Sequence, residues 1–64
     1  MKTLPLNKLK ANGEIFFKRT PAAAAVYVLN HYNRAEKNYS CTNDATGAEV
    51  FIKANKAVFV GFDY

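Results

Sequence analysis

One cysteine, one histidine and no tryptophan are found among 64 residues, and each scarcity closes a route to structure or chemistry. A lone Cys41 excludes any disulfide within the chain, although small folds commonly rely on one. With His31 as the single imidazole, four tetrahedral zinc ligands cannot be drawn from Cys and His. Acidic residues are few: Glu14, Glu36, Asp44, Glu49 and Asp63. Glu36 falls in a predicted turn, Glu49 in a cap and Asp63 at the C-terminal edge, and no convergent pair for acid–base work is implied. The three glycines, at positions 13, 47 and 61, are too far apart for a phosphate-cradling loop. No cofactor is expected. A pocket for a drug-sized molecule would consume much of so small a core, so no small-molecule substrate is expected either.

Long apolar runs are lacking as well. The start, MKTLPLNKLKANGE, is basic and has none of the continuous apolar stretch of about 7–15 residues found in a signal peptide. The longest such run, Ala22 to Leu29, is eight residues, against the roughly 20 that span a bilayer. With one unpaired thiol, these features read as a cytoplasmic protein with no membrane partner.

What is present is half apolar and 14% aromatic, a composition of folded chains. At this length it is one domain, burying only about 60% of its unfolded surface, so a tight core or a partner chain must complete its stability. Residues 1–12 read as a basic N-terminal arm, with Leu4, Leu6 and Leu9 able to pack on a body formed by 13–64. Glu14 to Arg19 suits a strand, closed by Pro21.

The next segment supports two readings. Thr20-Pro21 before four alanines is a helix start and gives an α+β alternative with a helix at 21–36. VYVLNHYN and YSCT are β-rich, and a hairpin centred on Ala35-Glu36 explains them together. Its register sets Tyr32 opposite Tyr39, His31 opposite Ser40 and Asn30 opposite Cys41, with Val28, Tyr32, Tyr39 and Cys41 on one side. The hairpin is the favoured reading. Thr46-x-x-Glu49 matches a capping box and predicts a short helix over 48–54, although Val50-Phe51-Ile52 equally fits a strand. Ala57 to Tyr64 reads as a central strand apolar on both faces. The expected fold is mainly β, a small barrel-like or curled antiparallel sheet of about 4–5 strands.

The pieces VYVLNHYNRAEKNYSC and IKANKAVFVGF resemble a group of short proteins without assigned activity. These occur in gut bacteria of the Bacteroides kind and in their phages and mobile elements. The resemblance covers residues 26–62 and rests on strand and turn composition. It departs around Asn43 to Ala48, where an acidic segment is usual and Asp44 alone stands. It implies a β-hairpin and a phage or mobile-element setting, and it carries no mechanism.

For chemistry, Cys41 and His31 are the one candidate nucleophile–base pair. In the hairpin they point to opposite faces, so Cys41 reads as a small core residue and the chain as non-enzymatic. Nucleic acid is the favoured partner, because its binding needs cations for phosphates and aromatic faces for bases. Lys8, Lys10, Lys18 and Arg19 supply the cations. Phe16, Tyr27, His31 and Phe59 would share one sheet face if their strands were adjacent and in register, making Tyr27 and His31 the candidate stacking residues. A protein-interaction or assembly module is the alternative: a homo-oligomer, an inhibitor of a host protein or a virion component. In that reading Phe62-Asp63-Tyr64 adds to a partner's sheet.

The net charge of +4 is unevenly spread along the chain. Residues 1–19 carry Lys2, Lys8, Lys10, Lys18 and Arg19 against Glu14, five less one. Residues 20–64 carry four cations and four acids and are balanced.

Overall fold

The computed structural model describes residues 1–63. It is mainly β, with strands β1 (Lys2–Pro5), β2 (Phe16–Phe17), β3 (Tyr27–Asn33), β4 (Asn38–Asn43), β5 (Glu49–Lys53) and β6 (Ala57–Val60). Strands β2-β3-β4-β5 form one antiparallel sheet, and β1-β6 form a second. A single bridge joins the two. Lys18 N–H donates to the Phe59 carbonyl at 2.9 Å, and Phe59 N–H donates to the Lys18 carbonyl at 2.8 Å. The result is a curled sheet that does not close into a barrel, because β1 and β5 do not pair.

Residues 1–12 are built into this fold. β1 pairs with β6 from Lys2↔Val60 to Pro5↔Ala57, and two short 3-10 turns follow, Leu6–Lys8 and Lys10–Asn12. Leu6 and Leu9 project from these turns and are fully buried. They join Phe17, Leu29, Cys41, Ile52, Val58 and Val60 in the core. Gly13 ends the second turn at φ +75, a left-handed conformation open to glycine at little cost.

No helix forms over 21–36. The four alanines offer little apolar surface to bury, whereas Val26 and Leu29 are buried and Tyr27 stacks on Phe17, ring centroids 5.7 Å apart. The hairpin forms instead, with Tyr32↔Tyr39 and His31↔Ser40. Its expected third pair is corrected: Leu29, not Asn30, lies opposite Cys41, because a bulge intervenes between Leu29 and His31. Tyr27 and Leu29 therefore share the core face with Cys41, and Val28 takes the outer face.

The helix expected over 48–54 is a strand. Asn43 Oδ1 accepts from Ala45 and Thr46 N–H, and Thr46 Oγ1 accepts from Ala48 N–H, so the capping residues close a turn. Beyond it, Val50 and Ile52 alternate into the core against Cys41 and Tyr39. At the C-terminus β6 ends at Val60, and Gly61 adopts φ +81. Phe62 and Asp63 are not in a strand, and the remainder of the expected strand, Tyr64, lies outside the described residues. β6 is covered on one face: Val58 and Val60 are buried, while Ala57 is exposed.

Candidate nucleic-acid interface

Three backbone hydrogen bonds draw separate loops to one end of the molecule. Leu6 N–H donates to the Lys56 carbonyl and Asn7 N–H to the Ala54 carbonyl, each at 2.9 Å. Ala54 N–H donates to the Lys37 carbonyl at 3.3 Å. The first 3-10 turn, the β3–β4 turn and the β5–β6 turn thus meet around an open cleft of about 310 Å³. Asn7, Tyr32, Lys37, Lys53, Ala54 and Asn55 line it.

Each lining group has a local cause. Tyr32, one residue before the end of β3, leans on Tyr39 across the ladder, centroids 5.0 Å apart, yet is 43% exposed. Lys37 closes the turn Arg34-Ala35-Glu36-Lys37 and takes φ +55. A left-handed conformation there costs a side-chain-bearing residue about 1–2 kcal/mol relative to glycine. Lys53 ends β5, and Asn55 sits in the turn that follows. Lys8, Arg34 and Lys56 are exposed neighbours of the lining residues. Around this end the five cations Lys8, Arg34, Lys37, Lys53 and Lys56 face one acid, Glu36. The balance of residues 20–64 conceals this concentration, because their acids Asp44, Glu49 and Asp63 lie outside these three loops.

The residues singled out from sequence are dispersed. Lys8 and Lys10 are exposed on the 3-10 turns, Lys8 next to the cleft. Lys18 and Arg19 follow β2. Lys18 bonds Phe59, about 10 Å along β6 from the Lys56 carbonyl that anchors the cleft. Its ammonium lies 5.0 Å from the centre of the Phe62 ring, a cation–π contact. Tyr27 and His31 are split by the bulge: Tyr27 is half-buried against the core, and His31 is exposed on the outer face. Phe16 pairs with Val28 on that outer face, and Phe59 belongs to the other sheet. The shared aromatic face therefore does not form. Tyr32, Lys37, Lys53, Asn7 and Asn55 escaped sequence reasoning, since no motif joins them. The lysine closing a tight turn was the one available signal.

The outer face carries a second polar cluster. Asn30, the bulge residue, donates from Nδ2 to Thr42 Oγ1 at 2.7 Å and to Ser40 Oγ at 3.4 Å. Ser40 in turn donates to Glu49 Oε2. Ser40 is fully buried beneath these partners, and its proton is committed to the carboxylate. An attacking hydroxyl needs an open approach, so this network ties β3, β4 and β5 together. Cys41 is also sealed in the core, where burial pushes its thiol pKa up to about 11 against a smaller opposing pull from the Arg19 guanidinium. No cluster of three or more His, Cys, Asp or Glu side chains suited to a metal occurs among the described residues. No helix in them is long and apolar enough to cross a membrane. No protein-family model, curated protein or solved structure matches the chain.

Proposed function

We propose that this protein is a non-enzymatic module that binds single-stranded nucleic acid at the Tyr32–Lys37–Lys53 cleft. The observation that carries the reading is Lys37. A cation occupies a left-handed turn position where glycine is cheaper, and it does so at the wall of a cleft. Strain of this kind, when it clusters at a binding surface, is a signature of function. The cleft combines what a single strand requires: ammonium groups for phosphates, an exposed phenol ring for a base, and the Asn7 and Asn55 amides for base edges. In this reading Lys8, Arg34 and Lys56 extend the phosphate path, with Lys10 further along it. Lys18 and Arg19, at the other end of β6, act as outlying cations, while Tyr27 and His31 are not stacking residues. The setting is an accessory role in phage or mobile-element nucleic-acid handling in the cytoplasm, following the resemblance of residues 26–62.

The test is fluorescence anisotropy with labelled single- and double-stranded oligonucleotides at about 50 mM salt. Binding that favours single strands is expected. Tyr32→Ala should lower affinity by one stacked base, about 1–3 kcal/mol, or roughly 5- to 150-fold. No binding of either oligonucleotide refutes the reading, and so does an unchanged affinity in Tyr32→Ala.

A further inference from the structure

β5 is the outer strand of the four-stranded sheet, and among the described residues no strand pairs with its far edge. The ladder on its inner side fixes which groups that edge presents. Asn43 N–H bonds the Ala48 carbonyl at 2.8 Å, and Ala54 N–H bonds the Lys37 carbonyl at 3.3 Å. Antiparallel bonding alternates between these ends, so Val50 and Ile52 aim their backbone groups at β4. Glu49, Phe51 and Lys53 aim theirs outward. The open stretch is bounded on both sides: Asn7 N–H occupies the Ala54 carbonyl, and the Asn43–Gly47 turn closes the other end. Five residues remain, Glu49-Val50-Phe51-Ile52-Lys53, with Phe51 in the middle.

This segment is complementary to itself when run antiparallel. A two-fold axis at Phe51 sets Phe51 against Phe51, and it sets Glu49 against the partner's Lys53 twice. The three side chains project on the outer face, opposite to the buried Ile52, and Phe51 is 56% exposed there. Glu49 is already held by Ser40, which fixes its carboxylate before any partner arrives. We propose that a second copy of this chain pairs along β5 and extends the four-stranded sheet to eight strands across a two-fold axis. One-residue slips would place Glu49 against Ile52 or Ala54 and lose both charge pairs, so this register is selected. Five paired residues are few beside a standard interface of about 1,200–2,000 Å². The dimer is therefore weak and dissociates on dilution. This inference does not rest on nucleic-acid binding and is measured without it.

Sedimentation equilibrium at 150 mM salt tests it, over protein concentrations on the order of 10 μM to 1 mM. The expected weight-average mass rises from 7.1 kDa toward twice that value. Glu49→Lys and Lys53→Glu should each stay monomeric across the range, because each sets like charges against one another. Their equimolar mixture should associate again, since it restores both ion pairs. The Phe51 amide should gain protection from hydrogen exchange as wild-type concentration rises. If Glu49→Lys fails to fold for want of its Ser40 contact, Lys53→Glu (whose Ser40–Glu49 bond is intact) and the Phe51 amide decide the matter. A wild-type monomer at 1 mM overturns the proposal, as does either folded single variant associating as wild type does.

Discussion

Leu29 lies opposite Cys41, with Asn30 unpaired in the bulge beyond it. One extra residue in β3 reverses the side-chain alternation of everything that follows, since a sheet's faces have period two. Tyr27 and Leu29 turn inward before the bulge, and His31 turns outward after it. The displaced Asn30 spans Thr42 and Ser40, so the irregularity is fastened on the outer face.

Ser40 is the hub of that fastening, and its loss should be felt as stability. Ser40→Ala leaves Glu49 without its donor and takes one acceptor from Asn30, at about 1–2 kcal/mol. Urea denaturation should show a lower midpoint with an unchanged slope. An unchanged midpoint would mean that the network contributes nothing net.

Removing residues 1–10 should unfold the protein. The deletion takes away β1 together with two fully buried leucines. Leu6→Ala or Leu9→Ala alone should cost about 2–5 kcal/mol, a large part of the total stability expected for 64 residues. Circular dichroism during thermal melting checks both. A truncated chain that melts like the intact one would contradict the role given to these leucines.

Much of the fold was legible in the sequence, and the limits of that reading are physical. The Tyr32–Tyr39 and His31–Ser40 pairs follow from turn length and strand composition, which are local. The bulge is not local, because it depends on which residue the core accepts. The Thr46-x-x-Glu49 spacing serves a turn and a helix cap alike, and the burial of Ile52 decides between them. The cleft was less legible. Its lining residues come from three loops joined by backbone hydrogen bonds, and side-chain patterns do not report such bonds. The inward turn of Tyr27 and the displacement of Asn30 have one cause, the bulge between Leu29 and His31.

The Cys41 thiol gives a pH signature. Burial raises its folded-state pKa from an ordinary 9.0 to about 11, so the folded chain holds a proton that the unfolded chain releases in that window. The contribution is complete below pH 9 and is lost as pH rises to about 11. Stability should therefore fall between these values more steeply in the wild type than in Cys41→Ala. Parallel profiles would refute it. An aromatic disulfide reagent at neutral pH should label Cys41 only on unfolding.

The role of Lys37 can be tested in two directions at once. In Lys37→Gly the left-handed turn becomes relaxed, which should raise stability by up to about 1 kcal/mol. The same change removes the ammonium proposed to meet a phosphate. The dependence of log affinity on log salt for a single-stranded oligonucleotide should become shallower by about 0.7, the value of one phosphate contact on a single strand.

The most direct measurement is that salt titration, run on the wild type and Lys37→Gly together with their thermal melts. Lys37→Gly should be more stable, bind more weakly and have the shallower salt slope. A variant that gains stability yet binds with the wild-type slope and affinity would show that the cleft is not where nucleic acid lies.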